Sequence, residues 1–581
     1  MKMKVSDYIV DFLSQKGVSR IFGYAGGAIT HIIDSLHGRK DISFVSTYHE
    51  QAAAFAAEGY ARIKNDIGVA MATSGPGATN LITGIGSAFF DSIPCLYITG
   101  QVNTYEYKGR SKVRQKGFQE LEIVNVVRPI TKYSKRIIDP GTIKIELEKA
   151  CDIAMSGRKG PVLLDIPMNI QRAEIDAADL VGYKRMAEAG DDSKNRRVMA
   201  KIIKMLRSSK RPVVLVGGGV RNAGATEELE VFLKKTKIPF VSTLMGLDAC
   251  EPALRNYCGF IGAYGNRCGN YTLANSDLII SVGSRLDTRQ TGTDLKLFAR
   301  EAKIVRIDID KDELSNSIKK DEVKVHSDAG KFMAALNKYC RPLDIKASAS
   351  WTSITQGYKS KYMSEKSDEI MNPNVIIEKI SGLCKINDII CLDVGQNQMW
   401  AAQSFRKKRG QRILISGGMG SMGFSLPAAI GAYYASPHSR VIAFSGDGGI
   451  QMNIQELELL KRNKIPIKVI IMNNHALGMI RHFQEMYFSE KYEGTIIGYA
   501  VPDFVKIAKA YGLKSVTIRK MSEVPKLKKI LKNDSSIVIN IELGQKTYVH
   551  PKLAVNFPIE DQEPLLNREE HYSNMIVKPA K

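Results

Sequence analysis

Residues 441–474, VIAFSGDGGIQMNIQELELLKRNKIPIKVIIMNN, decide how the chain folds. The apolar run VIAFSG stops at a glycine turn that sets Asp447 between Gly446 and Gly448. NIQELELLKRNK then places Ile454, Leu457 and Leu460 on one helical face, and IKVIIM is a second buried run ending at Asn473 and Asn474. That is a β-α-β unit. Its two parallel strands can lie side by side, so Asp447 and Asn474 emerge at carboxyl ends, where open parallel sheets bind ligands. A carboxylate and an amide oxygen are hard ligands suited to Mg²⁺ or Ca²⁺, and Mg²⁺ keeps places for phosphate oxygens and water. The flanking glycines let backbone approach a diphosphate. Taken singly, Gly-Asp-Gly is a turn and Asn-Asn a helix start; their joint appearance after two strands points to a cation site.

The same alternation of short β-branched runs with amphipathic or Ala-rich stretches fills the rest of the chain. A first block contains FVSTYHEQAAAFAAEGYARI, GVAMATSGPGATNLITGI and PCLYITG and closes with GPVLLDIP. IDAADLVGYKRMAEAGDDSKN reads as linker and helix start. A second block opens at RPVVLVGGGV, and a third carries DIICLDVG, RVIAFSGDG, IKVIIMNN and SIVINIEL. The expectation is an α/β protein of three doubly wound parallel-sheet domains in series, over residues 1–180, 195–340 and 373–560, with a tail over 561–581. A length of 581 residues agrees, since it exceeds what one hydrophobic core serves.

Apolar content of 44% and charged content of 25% are ordinary for a globular enzyme. No apolar run approaches the roughly 20 residues of a membrane span. MKMKVSDYIVDFLSQKG reads as an amphipathic helix with Asp7, Asp11 and Gln15 rather than a signal peptide, so a cytoplasmic location is expected. Cys95, Cys151, Cys250, Cys258, Cys268, Cys340, Cys384 and Cys391 form no CxxC pair, which argues against a disulfide framework or a zinc site. The net charge of +23 is spread over scattered lysines, not gathered into an aromatic-laced basic arm, so nucleic acid is not the expected partner.

Gly446-Asp447-Gly448 with Asn473-Asn474 resembles the thiamine diphosphate motif, and nearly the whole chain resembles the acetolactate synthase (acetohydroxyacid synthase) family, catalytic subunit. The resemblance implies a cation held by Asp447, Asn474 and the main-chain carbonyl of Ala476. It also implies that Glu50, in STYHEQAAAFAAEGYAR, is the acid at N1′ of the cofactor's aminopyrimidine, a role suited to a buried carboxyl of raised pKa. Read without the family, Glu50 is a solvent-facing first-turn residue favoured by the helix dipole. Gly26-Gly27 in YAGGAITHIID, the run TSGPGATN and Met422 in SGGMGSMGFSLPAAIGA match other cofactor-binding segments, with Met422 as the residue that props the bent cofactor. Gly449, Gly478 and Met479 complete the implied cofactor set, and Gln119, Phe118 and Gly27 join Glu50 in the implied catalytic set.

The resemblance extends to an FAD pattern: Arg158 in SGRKGP, Gly217-Gly218-Gly219 after a strand, Thr243-Leu244-Met245, Gly262 and Gly265 in GAYG, Gly283 and Arg285 in GSRLDTR, Asp308 and Asp328. Bound FAD is therefore expected, without net redox chemistry. Tyr264 stands where the family usually has His. The implied reaction is decarboxylation of pyruvate and transfer of the hydroxyethyl unit to an acceptor carbonyl, in the simplest case a second pyruvate. The expected substrate residues are Arg289, Phe483, Met479 and Met168. Three of the family's features are altered: Phe483 replaces Trp in RHFQE, Met168 replaces Lys in IPMN, and Thr288 replaces Asp before Arg289.

Between GQV and GFQE the stretch TYEYKGRSKVRQK carries Lys108, Arg110, Lys112, Arg114 and Lys116 at every second position. If extended, it projects all five from one face. Such a ridge suits an acceptor carrying a diphosphate, such as a nucleotide keto sugar; a solvated loop is the plainer reading. Pyruvate oxidase or simple decarboxylase chemistry keeps the same cofactor residues and stays open as an alternative. Membership would also imply a homodimer or tetramer, with a regulatory subunit as a further partner.

Overall fold

The computed structural model describes residues 2–185, 192–340, 345–364 and 371–580; residues 186–191 of the expected linker lie outside them. Three six-stranded sheets follow one another along the chain, every pairing within them parallel. Across the first sheet the strands run Ser43–Ser46, Arg20–Gly23, Gly68–Ala72, Cys95–Gln101, Val162–Pro167 and Tyr133–Arg136. The third has the same wiring with Arg412–Ile415, Ile389–Leu392, Val441–Gly446, Lys468–Asn473, Ile537–Glu542 and Lys514–Ile518. The middle sheet is wired differently: Tyr257–Phe260, Phe240–Ser242, Pro212–Val216, Leu278–Val282, Lys303–Asp308 and Val323–His326. Its first strand is third in space, with two neighbours on one side added in sequence and three on the other. That is the dinucleotide-binding order, with a switch point beside the first strand.

Helices cover both faces of these sheets, which is why strand runs such as VVLV (213–216) and VIIM (469–472) are continuously apolar instead of alternating. At the N-terminus the expected amphipathic helix forms over Val5–Gln15 and buries Val5, Ile9, Val10 and Leu13.

The first and third domains are joined by the helices Glu50–Lys64 and Ser425–Ala435. Their close approach depends on small residues. A Cβ on Gly431 would overlap the Ala56 carbonyl, and one on Gly59 would overlap Ala428. Phe55 and Phe424 meet edge to face at 5.4 Å.

A buried ionic chain ties in the middle domain. Arg62 pairs with Glu58 at 2.5 Å and Asp91 at 2.7 Å, and Asp91 accepts the amides of Gly417 (3.0 Å) and Gly418 (2.7 Å). Arg412 donates to the Arg62 carbonyl at 2.8 Å and to Asp248 at 2.7 Å. Burial raises the Glu58 pKa, with the Arg62 charge opposing it.

Residues beyond 560, read above as a tail, are packed. Arg267 donates to the carbonyls of Gln562 (3.0 Å) and Pro564 (2.6 Å), Tyr271 shares a 2.9 Å hydrogen bond with His571, and Tyr358 donates to the Asn574 carbonyl at 2.6 Å.

Candidate active site

Val441–Gly446 and Lys468–Asn473 are neighbours, with Gly446 opposite Met472, so Asp447 and Asn474 leave adjacent strands at one edge of the sheet. Asp447 opens a short helix and is 2% exposed. Its Oδ1 accepts the Tyr499 hydroxyl at 2.9 Å, while its buried Oδ2 receives no hydrogen bond of ordinary length and angle, the amides of His475, Ala476 and Gly448 approaching the carboxylate less closely. Burial raises the Asp447 pKa; Tyr499 and the amides of His475, Ala476 and Gly448 oppose the rise. Asn474 donates its amide N–H to Gln396 Oε1 at 2.8 Å, which fixes its orientation and leaves its oxygen for another partner. Gln396 is in turn held by the Thr547 carbonyl at 2.8 Å. His475, at φ 55°, turns the chain immediately after Asn474.

An orphaned buried carboxylate oxygen costs at least about 1–3 kcal/mol if nothing fills its place. Among the described residues no three His, Cys, Asp or Glu side chains gather into a metal cluster. The donor set is one carboxylate with amide and main-chain oxygens, which fits Mg²⁺ with coordination places left for phosphate.

Glycines shape the space around this edge. A Cβ on Gly448 would stand 2.6 Å from Leu477 Cδ2 and 3.2 Å from Met422 Cε, and one on Gly449 would stand 2.6 Å from Asp393 Oδ1. A Cβ on Gly478 would overlap Gln396, and Met479 follows it, half-buried against the core of the third domain. Asn397 Oδ1 is a second buried oxygen without a partner, and its amide nitrogen lies 3.4 Å from a Cβ position on Gly446. Asp393 pins the loop carrying Met422 by accepting the Gly423 amide at 2.9 Å and the Ser425 amide and hydroxyl at 3.1 and 3.0 Å. These residues fit a diphosphate and its cation.

The matching end of the first sheet gathers a different set. Glu50 begins its helix but is only 6% exposed, so it is not the solvent-facing residue that position suggests by itself. Its Oε2 accepts Asn80 at 2.9 Å, and its Oε1 lies 3.0 Å from where Gly77 would carry a Cβ. Gly75 at φ 58° admits Gln119, itself at φ 64°; a Cβ on Gly75 would stand 3.0 Å from Gln119 Cβ. Gly26 packs on Thr73, whose hydroxyl accepts the Ala28 amide at 3.1 Å, and Gly27 faces open space. Phe118 is 85% exposed. Asn453 connects the two sets, donating to Gln51 Oε1 (3.2 Å) beside Glu50 and to the Gly423 carbonyl (2.9 Å) beside Met422.

The stretch before Gln119 is not extended, which corrects the single-faced ridge expected from alternation. Glu120 accepts the amides of Lys108 (2.9 Å), Lys116 (2.9 Å) and Gly117 (3.2 Å), and the loop curls around it. Burial works against this carboxylate, yet the three amides hold its pKa below the usual range. Lys108 and Lys116 turn back onto the carbonyls of Arg114 and Tyr105. Arg110, Lys112 and Arg114 remain exposed.

A cavity of about 2050 Å³ opens on the middle sheet, larger than the ~300–1,000 Å³ of a drug-sized site. Arg158, Gly218, Gly219, Thr243, Leu244, Met245, Gly283, Arg285, Asp308 and Asp328 line it, together with Tyr264 and Arg289. The volume and the strand order fit a dinucleotide. Gly217, Gly262 and Gly265 instead allow backbone crossings: a Cβ on Gly217 would overlap the Gly283 carbonyl, on Gly262 that of Arg289, and on Gly265 the chain at Ile261. Arg158 is paired with Asp310 (2.9 Å) and Glu313 (2.8 Å).

Phe483 and Met479 share the helix Gly478–Tyr487, where Phe483 is 43% exposed and packs on Tyr487 at 4.8 Å. Met168 opens a short helix at the end of Val162–Pro167, next to Asn169, which hydrogen-bonds Thr104 at the base of the basic loop. Sequence reasoning missed Gln396, Asn397 and Tyr499. The first two follow the strand end in DIICLDVG, and that signal was available; Tyr499 lies in an aperiodic loop.

Three family descriptions match in series: the thiamine pyrophosphate enzyme N-terminal TPP-binding domain over residues 3–126, the central domain over 199–336 and the C-terminal TPP-binding domain over 393–541. A probable acetolactate synthase large subunit of Methanocaldococcus jannaschii is 38% identical over 560 residues, 93% of this chain and 92% of that protein. The acetolactate synthase large subunit of Lactococcus lactis is 35% identical, covering 94% of each chain. The isozyme 2 large subunit of Escherichia coli is 35% identical, over 94% of this chain and 97% of its own length.

Proposed function

The chain belongs to the thiamine pyrophosphate enzymes, in the acetolactate synthase large-subunit family, and from that premise we propose that it decarboxylates pyruvate and joins the two-carbon unit to an acceptor carbonyl, giving 2-acetolactate when the acceptor is a second pyruvate. The observation that carries this reading is the buried, partnerless oxygen of Asp447 at a strand end adjoining that of Asn474.

Asp447, Asn474 and the Ala476 carbonyl are the assigned Mg²⁺ ligands, with Gln396 holding the Asn474 amide in register. Gly446, Gly448, Gly449 and Gly478 are assigned to the diphosphate, and Met422 to the cofactor's flank. When bound, thiamine diphosphate supplies a nucleophilic carbon and an electron sink for loss of CO₂, Mg²⁺ neutralises its diphosphate, and FAD fills a place that needs no net redox change. Glu50, screened from water and oriented by Asn80, is assigned to hold the proton shared with pyrimidine N1′. Gln119 and Phe118 are assigned to the reacting centre, and Gly27, with open space before it, to the ring. Arg289 is assigned to the substrate carboxylate, which it can engage through two parallel hydrogen bonds; Phe483, Met479 and Met168 bound the acceptor side.

The cavity on the middle sheet is the assigned FAD site. Phe118, 85% exposed, and the open space at Gly27 support assembly with a second copy of this chain; the large-subunit relatives support a regulatory partner. No helix is long and apolar enough to cross a membrane among the described residues.

Supplying the purified chain with pyruvate, Mg²⁺, thiamine diphosphate and FAD and weighing the products tests the reading. Acetolactate is expected; acetaldehyde or acetyl phosphate as the main product would replace it with decarboxylase or oxidase chemistry. Three exposed cations on the loop beside Gln119 favour one second reading, a phosphorylated acceptor.

A further inference from the structure

We propose that Tyr499 is a positioning residue that makes Asp447 a one-oxygen ligand and so sets the preference of the cation site for Mg²⁺ over Ca²⁺; the inference rests on the cation site assigned above. Asp447 has two oxygens in unlike surroundings: Oδ1 is taken by the Tyr499 hydroxyl at 2.9 Å, and Oδ2 is buried with no partner. The contact is built into the backbone on both sides. The Tyr499 oxygen lies 3.1 Å from where a Cβ on Gly448 would stand, a position tighter than ordinary packing, so glycine there admits the phenol. The segment carrying Tyr499 is tied to the strand end that bears Asn474, because Leu477 donates its amide to the Thr495 carbonyl at 3.2 Å. Thr495 also donates to Gln484 at 2.5 Å, on the helix that follows the assigned ligands. The hydroxyl therefore moves with the ligand set rather than with a separate loop.

A carboxylate with one oxygen engaged by a hydroxyl favours presenting the other oxygen to a cation. Mg²⁺ demands compact octahedral geometry at about 2.0–2.1 Å and is met by one oxygen per carboxylate, whereas Ca²⁺ accepts six to eight oxygens and often both of one carboxylate. Removing a hydrogen bond of this kind typically loses ~10–100-fold in metal affinity.

The test is calorimetric titration of Mg²⁺, and separately Ca²⁺, into the chelator-stripped full chain with thiamine diphosphate present. Tyr499→Phe is expected to weaken Mg²⁺ about tenfold and Ca²⁺ much less, collapsing their ratio. Tyr492→Phe, on the same segment with a hydroxyl that makes no hydrogen bond to Asp447, is expected to leave both affinities unchanged. Tyr499→Phe with the Mg²⁺-to-Ca²⁺ affinity ratio unchanged, whether both affinities hold or fall together, or with tighter Mg²⁺ binding, overturns the inference alone. Absence of cation-dependent cofactor binding in the unaltered chain overturns the underlying cation site as well.

Discussion

The first and third sheets have the same strand order, yet their carboxyl edges are chemically unlike. At the first, the carboxylate of Glu50 has a protein partner, Asn80, and the surrounding loops are Gly26, Gly75 and Gly77 packed on Thr73, Gln119 and Glu50 itself. At the third, Asp447 likewise has one oxygen engaged, by Tyr499, but its other oxygen is fully buried without a hydrogen bond of ordinary geometry. Identical wiring thus yields two complementary half-sites. On the proposed assignments, the two edges divide proton transfer from anion anchoring.

The largest effect should come from exchanging these properties. Glu50→Gln is expected to lower kcat on pyruvate about 10²–10⁴-fold with Mg²⁺-dependent cofactor binding intact. Asp447→Asn is expected to abolish that binding. Steady-state rates and calorimetry on the two variants separate the roles, and loss of cofactor binding in Glu50→Gln would break the division.

The next effect concerns the helix contact that joins the two domains. Gly431→Ala drives a methyl into the Ala56 carbonyl, and a loss of roughly 1–3 kcal/mol is expected in denaturant unfolding. Gly357→Ala, at a position with open space, should be neutral or slightly stabilising. Equal effects would deny that the contact matters.

A smaller, pH-dependent effect is expected from Glu456, which accepts the Tyr48 amide across the same interface at 2.9 Å. Burial pushes its pKa up to about 7. A carboxyl raised on folding favours the folded state fully below its unfolded pKa of about 4.5 and loses that contribution as pH rises through about 7. Glu456→Gln should therefore flatten the decline of Tm between pH 5 and 8. An unchanged slope would place the titration elsewhere.

The smallest effect is expected at the basic loop. Replacing Arg110, Lys112 and Arg114 by Ser should leave pyruvate self-condensation unchanged and raise KM several-fold only for a phosphorylated acceptor. If no phosphorylated acceptor responds, the second reading of function falls.

What was legible in the sequence follows the same physics. Strands buried on both faces are continuous apolar runs, so VIAFSG and KVIIM announce themselves, and the polar residues that end them mark the site edge. That logic reaches Asp447 and Asn474 and, applied to DIICLDVG, would have reached Gln396 and Asn397. It fails at the basic loop, because alternation places side chains on one face only in an extended backbone, and Glu120 captures three amides to fold the segment back. Tyr499 is out of reach for a related reason: a hydroxyl delivered from an irregular loop leaves no period. Burial of Glu50 is likewise a tertiary result, since a first-turn glutamate by itself reads as exposed.

The packing of residues 559–577 on the middle domain bears on how the protein is made. The helix Arg267–Ala274 takes hydrogen-bond partners from Gln562, Pro564 and His571, which are synthesised long after it. With elongation at roughly 5–20 residues per second, that helix waits some tens of seconds on the ribosome before its partners appear. The middle domain thus reaches its final form only after those residues have emerged, and newly made chains pass through an interval in which this surface is open to chaperones or to misassembly.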